Sequence, residues 1–406
     1  MNSFINKKHS FRIILSLLSL FSSLVIVELF LAIFLPQKIF SLSYKMGNPC
    51  FKKSEVTVWT IKPNCEIRFK DFDTGESIYS KTNGLGYRNI DFEIKKREGE
   101  KRILIEGDSF IVGWGVKDKN HVSYLLEKKL KEFKPSHPLS NAKVINVGGN
   151  GGFGPDGYFL HLKSKGMNLE PDLVIFSVFV GDDLSDLDQV NWFGKGTFGE
   201  PLKAVSKTTL VDDSGYLIPM KIPFIYRIPV VRESHIAIFF TKVFSQTINA
   251  IKTYRYKKSP VEKRTSIYKC VFSDSCQSSV QHLYSKLLAT IKASNNLMIN
   301  SYHDGKLHFV VLLIPADFQI SPEAIKKFNY IGIPANITIE ANPNPQRHIK
   351  QMLEKENISY IDLLTPIRNQ SKKLYFNNDT HWNANGHESA ATEIAKWLEI
   401  NYKGEH

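Results

Sequence analysis

Gly107-Asp108-Ser109 follows a short apolar run, Arg102-Ile103-Leu104-Ile105-Glu106, and Asp379-Thr380-His381-Trp382-Asn383 stands far downstream, just before the last helical pattern. These residue types can perform nucleophilic catalysis. A serine hydroxyl attacks only when a base takes its proton, an imidazole is suited to that task, and a carboxylate holds the imidazole in the right tautomer. Each motif also has a plainer reading. Gly-Asp-Ser alone describes a glycine turn with a serine helix cap, and Asp-x-His before a helix describes capping with a packed histidine. The order of the motifs, each after an apolar strand, raises the catalytic reading for Ser109, His381 and Asp379.

Two further stretches lie at strand ends. Asn146-Val147-Gly148-Gly149-Asn150-Gly151-Gly152-Phe153-Gly154 follows the second apolar run. Its glycines would let a backbone N–H approach a developing oxyanion. It also matches GxGxxG from Gly149 to Gly154, but a dinucleotide site needs an acid at the end of the next strand, about twenty residues on. Asp172 begins that strand and Asp182 lies later. Val180-Gly181-Asp182-Asp183-Leu184 ends the third run. Its paired carboxylates suit a hydrated turn, a metal or an active site, and without other clustered ligands metal is disfavoured.

The elements that must position these residues follow from hydrophobic patterning. Continuous apolar runs at Arg102–Glu106, Lys143–Val147, Asp172–Val180, Leu307–Ile314 and Tyr360–Leu363 predict five buried parallel strands. Helical patterns separate them. His121–Phe133 aligns Val122, Leu125, Leu126, Leu130 and Phe133, and Pro155–Gly166 opens on proline. The last helix has Asn385 and Glu388 at capping-box spacing. The alternation predicts a doubly wound α/β domain over 101–400, a three-layer sandwich around a five-stranded parallel sheet. It stops at about 185–305, where a helical insertion is expected, with long helices near Glu233–Lys257 and Ser278–Tyr302.

At the N-terminus, Lys7, Lys8 and Arg12 precede an apolar run from Ile13 to Leu35, long enough to span a bilayer and longer than a signal-peptide core. This predicts a signal anchor at 13–35, a cytoplasmic segment 1–12 and a body outside the cytoplasm, joined by a stalk and lead-in at 36–100. Glu28 inside the span either faces a partner helix or sits hydrated near the interface. Cys50 with Cys65, and Cys270 with Cys276, are candidates for two local disulfides. The net charge of +13 contains no dense basic block with interleaved aromatics of the kind that lines a nucleic-acid groove, so no nucleic-acid partner is expected. Attraction to an anionic membrane surface or acidic polysaccharide fits better.

Taken together, Gly107-Asp108-Ser109, the Asn146 to Gly154 loop, the Asp182 turn and Asp379-Thr380-His381-Trp382-Asn383 resemble the SGNH/GDSL hydrolase superfamily. Thr82-Asn83-Gly84-Leu85-Gly86-Tyr87-Arg88 resembles the lead-in of its membrane-anchored bacterial members, and Asp-Thr-His-Trp is similar to the version in alginate-acetylation-type SGNH proteins. The resemblance covers about 80–400. It implies Ser109 as nucleophile, His381 as base, Asp379 as its orienting acid, and an oxyanion hole from the N–H groups of Ser109 and a glycine. That glycine is Gly152 if Gly-Phe-Gly-Pro-Asp is matched, the preferred match, or Gly151 if counted from Asn146. Where the family places a donating asparagine, this chain has Asp182, and an ionised carboxylate accepts but cannot donate. The resemblance implies acyl transfer through a seryl ester, without cofactor or metal, on an acyl-ester substrate such as an O-acetylated envelope polysaccharide. The competing class is a non-catalytic SGNH module that binds a glycan or assembly partner.

Overall fold

The computed structural model describes residues 2–37, 48–220, 270–302, 304–321, 344–368 and 370–403, with scattered positions between 228 and 267 and Ala324. The chain divides into two units, one of Met1–Gly47 with Leu217–Val261, the other of Asn48–Tyr216 with Glu262–His406.

The larger unit is built on five parallel strands: β1 (Arg102–Glu106), β2 (Lys143–Asn146), β3 (Leu173–Phe179), β4 (Phe309–Ile314) and β5 (Tyr360–Asp362), ordered β5-β4-β3-β1-β2. Every residue of β1, β3 and β4 is buried, as a sheet covered on both faces requires. The covering helices are α3 (Val122–Leu130), which packs with α8 (Ala384–Asn401), and α4 (Pro155–Ser164), which packs with α6 (Gln281–Ser301). Two short helices start at the carboxyl ends of β1 and β3: α2 (Ser109–Val112) and α5 (Asp183–Asp188). Helix α7 (Asn344–Lys355) precedes β5. The strand order reverses beside β1, and in open α/β sheets that is where ligands sit, at the carboxyl ends of the strands.

The capping of α8 differs from the expectation. Asn383, not Asn385, is its N-cap, and its side chain accepts from the Gly386 N–H at 3.1 Å. Asn383 also donates to the Lys373 and Tyr375 carbonyls, so one amide joins the histidine loop to the helix. The expected helix Ser278–Tyr302 is observed as α6. Of the one expected at Glu233–Lys257, residues 235–241 and 243–244 are helical and most of the rest lies outside the described residues. The inserted region also contains an antiparallel hairpin, Val190–Phe193 with Lys203–Ser206.

From Asn48 onward, the segment expected as stalk and lead-in folds into the larger unit. Strands Glu66–Lys70 and Ser77–Lys81 form a hairpin, and a Cys50–Cys65 disulfide closes its base. Trp59, buried, donates its indole N–H to the Gly149 carbonyl. Cys270 is buried and disulfide-bonded, while the Cys276 side chain lies outside the described residues.

The smaller unit holds α1 (Asn2–Phe34), whose stretch Phe11–Phe34 has a mean hydropathy of 2.5 and is long and apolar enough to cross a membrane.

Candidate functional site

Gly107 follows β1 at a place where no side chain fits. A Cβ there would lie 1.9 Å from Ser177 Oγ, which itself donates to the Glu106 carbonyl. The chain then turns sharply, and Asp108 caps α2 by accepting from the Phe110 N–H at 2.9 Å. Serine at the first helical position has a backbone N–H with no intrahelical acceptor, so its hydroxyl and N–H sit together at the sheet edge.

The far side of α2 is pinned by Arg88. Its buried guanidinium donates to the carbonyls of Val112, Gly113 and Val116, and pairs with Asp118 at 2.8 Å. Just before it, Asn83 accepts from the Leu85 and Tyr87 N–H groups, and a Cβ at Gly86 would lie 2.4 Å from the Ile61 carbonyl oxygen. The Thr82–Arg88 motif is therefore a folded bracket under the Ser109 turn.

The second arm of the site is the loop after Leu374. Tyr375 and Trp382 face each other in an antiparallel bridge, and the Phe376 N–H donates to the His381 carbonyl. This narrow turn brings the histidine over the sheet edge. His381 Nε2 lies 2.6 Å from Ser109 Oγ, and its Nδ1 lies 2.5 Å from Asp379 Oδ1. The same carboxylate oxygen accepts from the His381 backbone N–H at 2.8 Å. Ser109, His381 and Asp379 thus form one continuous hydrogen-bonded chain. The imidazole and carboxylate retain 22% and 25% exposure, open enough for a substrate to reach them.

Aromatic rings unmarked by any motif wall the imidazole. Phe72 and Trp114 stack on it at centroid distances of 6.0 and 6.4 Å, and Phe110 lies 5.1 Å away. Phe72 comes from the turn of the 66–81 hairpin. Beside it, Asp73 accepts from the backbone N–H groups of Asn377 and Asn378 at 2.6 and 3.2 Å and from the Asn377 side chain at 2.8 Å. No sequence signal separates Asp73 from an ordinary turn aspartate. It holds the histidine loop without touching the reacting atoms. Asp73→Ala is expected to lower kcat for an ester substrate by about tenfold or more through loss of alignment, with little change in KM. Asp73→Asn, which can still accept from both N–H groups, should restore most of the rate. Equal loss in both variants would show that the carboxylate charge matters instead.

The structure separates the two glycines. The Gly151 N–H is already engaged with the Trp59 carbonyl at 3.1 Å, and the Gly151 carbonyl accepts from Val58. Among the described residues the Gly152 N–H has no backbone acceptor. Gly152 has φ of 141°, which L side chains rarely adopt.

Asp182 is half-buried at the start of α5 and caps nothing with its side chain. Its charge is felt at Asp108. Burial, reinforced by Asp182, pushes the Asp108 carboxyl up to about 7 against the opposing pull of the Phe110 N–H and His381. Asp183 is the structural member of the pair. It accepts from the Phe179 N–H at 2.8 Å and meets the Tyr158 hydroxyl at 3.0 Å. Burial first, then Asp108 and Asp186, holds its carboxyl well above the usual range. The Tyr158 hydroxyl has one proton and also meets the Phe153 carbonyl, which can only accept, at 2.7 Å. A neutral Asp183 donating to Tyr158 satisfies all three groups.

Because Asp108 holds its proton more tightly folded than unfolded, its contribution to stability declines as pH rises from about 4 to about 7. Above that window the penalty of a buried charge is complete. Asp108→Asn keeps the cap acceptor and removes the charge. Its melting temperature should exceed the wild type's at pH 8 by on the order of 5 °C and converge on it near pH 4. A constant offset across the series would assign the change to packing rather than titration.

Residues 309–405 match a family model described as SGNH hydrolase-like domain, acetyltransferase AlgX. No curated protein matches the chain. Among solved structures, the lipase Lip_vut3 from a goat rumen metagenome is 13% identical, with 75% of this chain and 99% of that one covered and a TM-score of 0.38. The acetyl xylan esterase Est2A from Butyrivibrio proteoclasticus is 11% identical, with 73% and 63% covered and a TM-score of 0.30.

Proposed function

We propose, from the match of residues 309–405 to an SGNH hydrolase-like family model, that the chain is a serine acyl-ester hydrolase or O-acetyltransferase acting on an O-acylated glycan of the cell envelope. The observation that carries this is the continuous chain Ser109–His381–Asp379. His381 Nε2 takes the Ser109 proton as Oγ attacks the acyl carbonyl, and Asp379 holds Nδ1 protonated so that Nε2 is the basic nitrogen. The N–H groups of Ser109 and Gly152 receive the oxyanion. Collapse of the tetrahedral adduct returns the proton to the departing alkoxide and leaves an acyl-Ser109 ester. Water or a sugar hydroxyl then accepts the acyl group by the reverse path.

The glycan assignment rests on what adjoins Gly152. A cavity of about 150 Å³ runs from Phe153 and Gly154 past Trp59 to Ser206, Thr208 and Thr209. An aromatic wall facing hydroxyls suits a polyol ring better than an acyl chain. Helix α1 serves as the anchor, and the Cys50–Cys65 disulfide fits a body held in an oxidising compartment. A second reading, a binding module without turnover, is favoured by one observation, the carboxylate of Asp182 where a donor is expected.

A serine-reactive fluorophosphonate distinguishes the two. The enzyme reading expects a covalent adduct on Ser109 that disappears in Ser109→Ala and is strongly reduced in His381→Ala. Folded protein that stays unlabelled at Ser109 would favour the binding module.

A further inference from the structure

Within the smaller unit, Glu28 of α1 is not left to the lipid. Its carboxylate accepts from Ser234 Oγ at 2.9 Å and from the backbone N–H groups of His235 and Ile236 at 2.6 and 2.9 Å. The helical residues 235–241 and 243–244 follow directly, so Glu28 caps the start of a helix from a remote part of the chain. One turn on along α1, Leu31 is buried and Ala32 half-buried, whereas the flanking residues Leu29, Phe30, Ile33 and Phe34 are exposed. The Gln37 N–H also donates to His235 Nδ1 at 2.9 Å.

The depth of this contact matters. The apolar stretch Phe11–Phe34 has 24 residues, about 36 Å at helical rise, against a hydrocarbon core of about 30 Å. Centred in a bilayer, it places Glu28 about 6 Å inside the hydrocarbon boundary, where a bare carboxylate is costly and so are unpaired N–H groups at a helix start. Each satisfies the other. The element beginning at Ser234 then starts below the headgroups, and its side chains agree. Phe240, Val243 and Phe244 are exposed.

We infer that the segment from Ser234 is a second membrane element, a helix half-sunk in the outer leaflet and pinned to the anchor by Glu28. The inference rests on reading α1 as a membrane anchor. It assigns a lipid partner to the inserted region, which would otherwise present bare phenylalanines to water.

The test uses the full chain reconstituted into vesicles of phosphatidylcholine with roughly one third phosphatidylglycerol, the anionic component. A benzophenone-bearing residue is placed in turn at positions 21, 240, 244 and 210, and lipid adducts are read by mass spectrometry after illumination. Phe21 reports the anchor, and Leu210, exposed on the larger unit, reports background. Adducts at 240 and 244 close to those at 21 and well above 210 support the inference. Adducts at 21 with background at 240 and 244 overturn it while the anchor stands. Background at 21 removes the anchor reading and this inference with it. Glu28→Leu should lower the yield at 244 by about half or more through loss of the cap without changing that at 21. An unchanged yield at 244 would refute the pin.

Discussion

Ser109→Ala is expected to reduce turnover of an acetyl ester by on the order of 10⁴–10⁶-fold, and His381→Ala to do nearly the same. The two residues act as one unit, because the hydroxyl is not nucleophilic without the base 2.6 Å away and the base has nothing to activate without the hydroxyl. The double variant should therefore be scarcely worse than either single one. Asp379→Asn should cost less, on the order of 10²–10⁴-fold. The asparagine can rotate its amide nitrogen toward Nδ1, which favours the tautomer with the proton on Nε2, the nitrogen that must stay free. The opposite rotamer, with the amide oxygen in that place, keeps part of the anchoring, because one oxygen accepts from both Nδ1–H and the His381 backbone N–H. Steady-state rates for the four proteins, each checked for folding, decide the matter. Additive losses in the double variant would mean that Ser109 and His381 do not work on the same proton.

The parts of this site that were legible in the sequence share a local cause. The five strands are buried on both faces, so each appears as an unbroken apolar run, and the residue just past such a run must lie at the sheet's carboxyl edge. That reasoning places Ser109 and Asp182 without knowing any contact. His381 was legible because a polar triplet ahead of an amphipathic helix is confined to the same edge. What remained hidden depends on partners distant in sequence. Asp73 is one acidic residue in a hairpin turn until Asn377 and Asn378 arrive to donate to it. Phe72 and Trp114 carry no periodic signal as walls of an imidazole. The bond from the Gly151 N–H to the Trp59 carbonyl likewise joins segments far apart in the chain. The α8 cap was misplaced by two residues because Asn383 and Asn385 are both good caps, and only the bridge from Tyr375 to Trp382 sets where the helix begins.

Asp182→Asn is the change whose outcome separates the functional readings most sharply. A neutral amide there can donate to an oxyanion, and one such donor is worth on the order of 10²–10³ in rate. If the wild-type carboxylate is charged during turnover, the substitution should raise kcat with little change in KM, since the new interaction forms only in the transition state. If Asp182 carries a proton and already donates, kcat should hardly change near neutral pH, and the wild type alone should lose activity as pH rises. The same variant has a readout independent of catalysis. Asp182 pushes the Asp108 carboxyl upward, so removing its charge should lower the Asp108 titration and move the pH-dependent loss of stability to lower pH. A shifted stability profile together with unchanged, Ser109-independent turnover would show that the Asp182 charge acts on Asp108, yet that the site does not perform acyl transfer. The binding module would then be the better account, with Asp182 present because no oxyanion forms beside it.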